Sequence, residues 1–542
     1  MTDDPITLTT KLNKAMHRGD FRKALIHLEE LLRSDSKNEK LLGLKVKLGL
    51  QLSSNEPTIA ALEALIQIAP QNLQYSITLA DLHLNNGRAQ ASPKVFEPLL
   101  SKFQHPDLYY NYAWFLSKAA DYENALIFYK KSIELGISSA EEAHLNIANI
   151  YSSWLFSPNL AREHLMLALQ LKPNYVSAIY NLGNLEEDSG NRSAAIAQFK
   201  KIIAINPLHG KASARLAMAM DAEESTIMIQ ELEALSGNQL VDIDSRIDCL
   251  YALGKLRDQR KDYKKAFSHW ELANRLDQEQ LGQFSRAAFS NTIDSLIKNF
   301  SATWFDNLKQ TSTAAPVFIA GMFRSGSTLL EQILSSHSGV IAAGELDFFP
   351  RTCRDLGDNH PPSSSYDSSG IKAIAAKYFK ILDSIDSSDT IITDKRPDNL
   401  LHLGLIKTVF PKARIIVTER QIKDNCLSIF AHRFGRDMSY ACDIEDTYFY
   451  FEELSRLVDH WKSRFSDTIH VVQYDELVID PKTVVSDALK FLNLKWEDSC
   501  LDFHRSQNVV STASVWQIRE PLYQRSSGRW QHYKSQLSSV LG

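Results

Sequence analysis

The stretch 316–350 constrains the fold more than any other part of the sequence. It opens with a short apolar run at 317–320, which is typical of a buried strand. A turn bounded by Gly321 and Gly326 follows, and the segment 327–336 then carries leucine and isoleucine at helical spacing. A strand, a glycine loop and a helix in this order place free backbone N–H groups at a helix N-terminus, where they bind an anion.

The turn and the start of the helix supply further hydrogen-bond donors. We therefore predict an anion-binding loop made of Arg324, Ser325, Gly326, Ser327, Thr328 and Leu329. The glycine spacing is that of nucleotide-triphosphate loops, in which a lysine follows the second glycine and reaches the β- and γ-phosphates. Ser327 occupies the lysine position here, so the sequence favours a single 5′-phosphate over a triphosphate. An ordinary strand–turn–helix without a ligand is the alternative.

Bulk composition narrows the class of protein. A chain of 542 residues is too long for one hydrophobic core, so we expect two or more domains. The net charge of −5 argues against a general nucleic-acid binder, which normally shows a basic excess. The five cysteines form no CxxC pair, so neither a disulfide framework nor a zinc site is indicated, and a reducing compartment suits them. Without a signal pattern or an apolar run of about 18 residues, we expect a cytoplasmic protein with no membrane span.

The first half of the chain repeats one helix-hairpin pattern. Small and aromatic residues follow the offsets of a tetratricopeptide repeat, which ends in proline, at Gly183, Gly190, Ala195, Phe199 and Pro207. The alanine recurs at Ala161 and Ala125, about one repeat apart each time, and the stretch 253–273 shows the same offsets. We predict degenerate copies at 38–106 and 208–237. A plain helical bundle is the alternative.

The sequence changes character after a turn-rich junction at 311–316. Strand-like and helix-like segments then alternate, which is typical of a parallel α/β sheet. We therefore predict a protein of class α plus α/β. It would have a tetratricopeptide-type α-solenoid at 1–280, connecting helices and a linker at 281–312, and a P-loop-like, three-layer α/β domain with a parallel sheet at 313–542.

Polar residues follow two of the predicted strands, at the edge where an open α/β sheet binds its ligands. Glu345 follows the strand at 340–343 and is a candidate general base. Lys395 follows the strand at 390–393 and is a candidate cation for a developing negative charge. A surface glutamate, and a surface lysine paired with Asp394, are the alternatives.

Arg420 and Ser428 form a second predicted phosphate site. Arg420 ends a strand-like segment, and Ser428 lies eight residues later on the following helix. An arginine and a hydroxyl together hold a phosphate dianion through charge-assisted hydrogen bonds.

The sequence RSGST after a short strand resembles the 5′-phosphosulfate-binding loop of sulfotransferases, which use 3′-phosphoadenosine 5′-phosphosulfate. The resemblance spans about 315–533 and is strongest to the tyrosylprotein-sulfotransferase branch and to bacterial sulfotransferases fused to tetratricopeptide repeats. It implies that Glu345 is the base and that Lys395 stabilises the bridging oxygen. It also implies that Arg420 and Ser428 bind the 3′-phosphate of the donor.

The same resemblance extends to less specific positions. It implies that Tyr474 lies near the adenine and that Ser514 and Arg519 of the tail contribute to donor binding. Relatives often continue as RDP or RNP where this chain has Gln421 and Ile422, so the geometry of that loop is left open. Another sulfotransferase branch uses histidine as its base, but His337, His432 and His504 are each more typical of structural histidines.

The sequence therefore predicts a sulfotransferase that takes its sulfuryl group from 3′-phosphoadenosine 5′-phosphosulfate and needs no metal. The predicted acceptor is a hydroxyl, with a protein tyrosine and a glycan as candidates. The repeats are candidates for holding a polypeptide acceptor, and a homodimer is a further option. A nucleotide-dependent phosphotransferase and a non-catalytic repeat scaffold with a degenerate nucleotide-binding domain are the alternatives.

Overall fold

The computed structural model describes residues 4–220, 225–306, 314–356, 367–386, 390–435, 438–505 and 515–538. Its contacts divide the chain into two compact units, Met1–Ala178 and Ile179–Gly542. The repeats after residue 178 thus share a unit with the α/β domain. The predicted domain boundaries, at 1–280, 281–312 and 313–542, stay a prediction. The predicted junction at 311–316 lies partly outside the described residues.

The first unit consists of antiparallel helix pairs. Its helices are α1 (Pro5–His17), α2 (Phe21–Ser34), α3 (Glu39–Gln51), α4 (Asn55–Ile68), α5 (Leu73–Asn85), α6 (Glu97–Leu100), α7 (Pro106–Lys118), α8 (Tyr122–Glu134), α9 (Ala140–Ser153) and α10 (Pro158–Leu171). Asp20 and Asp121 cap the second helix of two pairs by accepting backbone N–H groups. Ala125 and Ala161, the repeating alanines, are fully buried, because a small side chain lets the paired helices approach closely. These pairs confirm the predicted α-solenoid.

The second unit begins with further helices of the same kind. They are α11 (Val176–Asp188), α12 (Arg192–Ile205), α13 (Gly210–Ala219), α14 (Ser225–Gly237), α15 (Ile243–Gln259), α16 (Tyr263–Leu281), α17 (Arg286–Asn299) and α18 (Ala302–Asp306). The pair α15–α16 is close-packed at Gly254, where an added Cβ would lie 2.1 Å from Nε1 of the buried Trp270. Glycine is therefore required for this helix pair to form.

The α/β domain contains a five-stranded sheet in which every neighbouring pair is parallel. Its strands are β1 (Val317–Gly321), β2 (Val340–Ala342), β3 (Ile391–Lys395), β4 (Arg414–Glu419) and β5 (Ile469–Gln473), in the spatial order β2-β3-β1-β4-β5. The chain leaves β1 towards one edge of the sheet and later returns beside it as β4. Ligands of such sheets bind beyond the carboxyl ends of the strands at this switch point. The sheet confirms the predicted fold class.

Helices cover both faces of the sheet. The helices of this domain are α19 (Ser327–Leu334), α20 (Phe348–Asp355), α21 (Ser368–Ile385), α22 (Leu403–Val409), α23 (Ile422–Phe430), α24 (Ile444–Arg464), α25 (Tyr474–Leu477), α26 (Pro481–Phe491) and α27 (Lys534–Leu537). Along β1 successive side chains point to opposite faces, so Phe318 packs in one core cluster and Ile319 in another. In the described part of the chain, no helix combines the length and the apolar composition that a membrane span needs.

Candidate active site

The loop after β1 has the backbone that an anion site requires. Gly326 ends the loop as the N-cap of α19, with a left-handed φ of 99°. An added Cβ at Gly326 would lie 2.5 Å from Cδ2 of Tyr474, so glycine is needed for space as well as for conformation. Arg324 also has a positive φ, of 65°, which is uncommon for a residue with a side chain and is typical of functional loops.

This loop opens into a cavity of about 310 Å³ beyond the carboxyl ends of the strands. The predicted site residues that line it are Arg324, Gly326, Ser327, Thr328, Leu329, Glu345, Arg420, Ser428 and Tyr474. Ser325 is buried behind the loop instead, and its Oγ lies 2.7 Å from Oγ1 of Thr418 in β4. Ser325 therefore ties the loop to the sheet and does not face the cavity.

Two arginines stand at the centre of the cavity wall. Arg324 donates through Nε to Oγ of Ser428 at 3.2 Å, and Arg420 donates through Nη1 to the carbonyl oxygen of Arg324 at 3.1 Å. The Arg420 guanidinium lies 4.7 Å from the centre of the Tyr474 ring. Among the described residues, Nε of Arg420 is buried without an acceptor. An anionic ligand would supply one.

The electrostatics of this wall are strongly positive. Burial and the charge of Arg420 together lower the pKa of Arg324 to about 10. His432 is one helical turn beyond Ser428, and its Nδ1 lies 2.7 Å from the Ser428 carbonyl oxygen. Burial and the nearby cations hold the pKa of His432 well below its ordinary value, so the ring is neutral. A neutral ring bound to backbone suits a structural role.

Glu345 lines the cavity and forms an ion pair with the buried Lys395. Nζ of Lys395, which is only 1% exposed, lies 2.5 Å from Oε1 of Glu345, which is 36% exposed. Lys395 comes from the end of β3, and its backbone N–H donates to the carbonyl oxygen of Gly344 at 2.9 Å. Strand pairing thus brings the two side chains together. Asp394, the alternative partner of Lys395, instead accepts from Tyr378 and Asn399.

A third carboxyl group lies beneath this pair and was not predicted. Glu331 of α19 is 2% exposed, and its Oε1 accepts from the Gly344 N–H at 3.2 Å and from Oγ1 of Thr393 at 3.4 Å. Burial raises the pKa of Glu331 to about 7. The sequence signal was a glutamate inside the apolar face of the helix that follows the loop.

The tail residues are only partly where the sequence placed them. Arg519 donates through Nη2 to the carbonyl oxygen of Asp188 at 2.7 Å and lies against Gly190 of the repeats. It therefore does not line the cavity, because the tail turns its side chain towards α11. Ser514 lies outside the described residues. Gln517 and Ser526 of the tail line the cavity and were not predicted, and Arg529 of the arginine-rich tail lines it as well.

Comparison with known proteins shows which family models match parts of the chain. Residues 316–498 match the model of the sulfotransferase family, and residues 106–135 and 176–207 match that of the tetratricopeptide repeat. The chain carries a sulfotransferase-family domain. In the part of the chain that is described, no group of three or more histidine, cysteine, aspartate or glutamate residues is placed to hold a metal ion.

Several proteins resemble the chain over part of their length. An uncharacterized protein of Aquifex aeolicus (strain VF5) is 30% identical over 397 residues, which cover 70% of this chain and 51% of that protein. Protein-tyrosine sulfotransferase 1 of Danio rerio is 24% identical over 214 residues, which cover 37% of this chain and 58% of that protein. The chain spans about half the length of the curated relatives that it matches.

One solved structure similar to the sulfotransferase-family domain is the sulfotransferase domain from the Synechococcus PCC 7002 olefin synthase. It is 20% identical, covers 41% of this chain and 90% of that domain, and has a TM-score of 0.32. The five-stranded parallel sheet itself defines the fold of this domain.

Proposed function

We propose that the chain transfers a sulfuryl group from 3′-phosphoadenosine 5′-phosphosulfate to a hydroxyl acceptor. The observation that supports this most is that one cavity joins a helix N-terminus, two arginines and a lysine–glutamate pair. The first two features bind phosphate groups. The third suits proton removal from an alcohol or a phenol.

The donor would use two anion sites. Its 5′-phosphosulfate would bind the N-terminus of α19, where Ser327 and Thr328 follow the loop. Its 3′-phosphate would bind Arg420 and Ser428, and the buried Nε of Arg420 supports this because it has no acceptor among the described residues. Tyr474 would lie near the nucleotide while supporting Arg420 from below.

The transfer would need one base and one cation. As the acceptor oxygen bonds to sulfur, the bond between sulfur and the bridging phosphate oxygen breaks and the bisphosphate leaves. Glu345 would take the acceptor proton, and Lys395 would stabilise the charge that develops on the bridging oxygen. The 2.5 Å contact between Nζ and Oε1 holds the carboxylate in one orientation for this role.

Apolar side chains in the cavity lining support an aromatic acceptor. Phe323, Pro397 and Phe434 line the cavity, and the two phenylalanine rings lie 5.9 Å apart in an edge-to-face arrangement. Aromatic side chains favour such neighbours. We therefore propose a tyrosine side chain of a polypeptide as the acceptor, in agreement with the names of two relatives, and propose that the repeats hold that polypeptide.

Glu345→Gln tests the reaction. The variant keeps the shape of the side chain and removes its basicity, so transfer of labelled sulfate to tyrosine-containing peptides should fall by about 10²–10⁴-fold. Binding of adenosine 3′,5′-bisphosphate should stay unchanged, because Glu345 faces the acceptor. The control is Glu452→Gln, which alters an exposed glutamate of α24. Near-normal transfer by Glu345→Gln would refute the assignment of the base, and transfer to glycans alone would refute the acceptor.

A further inference from the structure

The C-terminal tail is fixed to the repeat helices of the second unit. Nε1 of Trp516 donates to Oε1 of Glu187 in α11 at 2.6 Å. Farther along, Nη2 of Arg529 lies 3.0 Å from Oδ2 of Asp258 in α15. The buried Tyr533 donates its hydroxyl to the same aspartate. The tail is therefore held at both ends by helices that belong to the repeats.

The same tail forms part of the cavity wall. Oε1 of Gln517 accepts from Nη2 of Arg324 at 3.2 Å, and the backbone carbonyl oxygen of Ser526 accepts from Nη2 of Arg420. Arg529 lines the cavity directly. Through the tail, the repeat helices thus hold the two arginines of the proposed donor site in position.

One repeat helix approaches this site by its own side chains as well. The hydroxyl of Tyr251 in α15 donates to Oδ1 of Asn274 at 2.6 Å, and Nδ2 of Asn274 donates to the carbonyl oxygen of Phe430 at 2.8 Å. Phe430 ends α23, the helix that carries Ser428. Lys255 lies on the same face of α15, one turn after Tyr251 and about one turn before Asp258.

The ammonium of Lys255 lies near other positive charges. Within the described residues it has no hydrogen-bond acceptor and no ion-pair partner, although the side chain is partly buried. Burial, together with the charges of Arg324 and Arg529, lowers its pKa to about 8. The carboxylates of Glu187 and Asp258 oppose this lowering of the pKa.

Those two carboxylates are already engaged. Glu187 accepts from Trp516 and pairs with Arg215 at 3.2 Å. Asp258 pairs with Arg529 and accepts from Tyr533. Among these groups, the cations Lys255, Arg324 and Arg529 thus outnumber the carboxylates Glu187 and Asp258, which favours the binding of a multiply charged anion.

We infer that Lys255 of the repeats, together with Arg529 of the tail, binds the 3′-phosphate of the donor beside Arg420 and Ser428. This inference rests on the proposed function, because it assigns a residue to the donor of that reaction. It makes the nucleotide site a joint product of the repeats and the sulfotransferase-family domain. Lys255 is a binding residue here and takes no part in the bond changes.

The test compares two nucleotides that differ only in the 3′-phosphate. Calorimetric titrations of the full chain with adenosine 3′,5′-bisphosphate and with adenosine 5′-monophosphate give the contribution of that group. Lys255→Met should weaken binding of the bisphosphate by about 10–100-fold and leave binding of the monophosphate nearly unchanged. Lys255→Arg should retain most of the affinity. Lys264→Met, which removes an exposed lysine of α16, is the matched control.

The outcomes separate this inference from the proposed function. If the wild-type chain binds both nucleotides equally, the donor assignment fails and the inference fails with it. If the wild-type chain prefers the bisphosphate and Lys255→Met keeps that preference, the inference alone is overturned. A loss of affinity for both nucleotides in Lys255→Met also overturns it, because the residue then supports the whole site. Since the ammonium has no partner, the unliganded variant should unfold at the same urea concentration as the wild type, or at a higher one.

Discussion

Gly326 has no Cβ atom, and both the fold of the loop and the proposed donor site depend on this. In Gly326→Ala the new Cβ would lie 2.5 Å from Cδ2 of Tyr474, closer than carbon atoms can approach. The residue would also keep a left-handed φ of 99°. The left-handed conformation costs about 1–2 kcal/mol for a residue with a side chain. Overpacking a filled site costs about 1–3 kcal/mol more. We expect a total loss of about 2–5 kcal/mol in the free energy of unfolding.

Gly344 provides a matched control. It also has a positive φ, of 67°, but an added Cβ would meet no atom within 4 Å. Gly344→Ala should therefore cost only about 1–2 kcal/mol, the conformational part alone. Urea unfolding of both variants, followed by the same signal, gives the difference, which measures the collision with Tyr474.

A double-mutant cycle isolates the energy of the contact between position 326 and Tyr474. In the background Tyr474→Leu, the ring is gone and Gly326→Ala should cost no more than Gly344→Ala. Gly326→Ala should also weaken binding of adenosine 3′,5′-bisphosphate several-fold, because a displaced Tyr474 no longer supports the Arg420 guanidinium. If Gly326→Ala costs the same as Gly344→Ala, or the same in both backgrounds, the contact with Tyr474 does not determine the loop.

Three further changes test buried charges. Burial raises the pKa of Glu331 from 4.5 to about 7, so between these pH values the folded chain keeps a proton that the unfolded chain releases. The free energy of unfolding, measured with urea, should therefore fall as the pH rises from about 4.5 through 7. Glu331→Gln should remove the part of this fall that Glu331 causes. Burial lowers the pKa of Lys407 from 10.5 to about 8, so stability should rise as the pH rises from about 8 to 10.5, and Lys407→Met should flatten that rise. Arg433→Gln leaves the buried Asp277 without its ion pair and should cost about 3–5 kcal/mol in urea unfolding, measured at neutral pH.

Local sequence patterns were sufficient to predict most of the fold of the sulfotransferase-family domain. The strand, loop and helix around Gly326 are encoded within about 20 residues, and apolar runs mark each strand of the sheet. The proximity of Glu345 and Lys395 agrees with a rule of topology, since Glu345 follows β2, Lys395 ends β3, and these two strands pair. Local patterns also predicted the parallel sheet and the α-solenoid, and the structure confirms both.

The parts of the site that come from distant segments could not be predicted. Lys255, which we propose as a donor-binding residue, lies in the repeats, and Arg529 lies in a tail with no periodic pattern. Their positions depend on how α15 and the tail pack, which no local spacing records. For Arg519 the sequence prediction was wrong for the same reason. The arginine-rich tail suggested a donor contact, but packing directs this side chain to Asp188.

The proposed donor site would join the repeat helices and the tail, because Arg324, Arg420 and Arg529 line its cavity and Lys255 lies on the neighbouring α15. Arg324, Arg420, Arg529 and Lys255 repel one another in the ligand-free chain, and the lowered pKa values of Arg324 and Lys255 record that repulsion together with burial. Such an arrangement persists only where other contacts hold it. The tail contacts with Glu187 and Asp258 provide them. An anion with two phosphate groups relieves the repulsion when it binds, so part of its affinity originates in the free protein. Removal of the tail anchors should therefore weaken donor binding even though neither carboxylate touches the cavity.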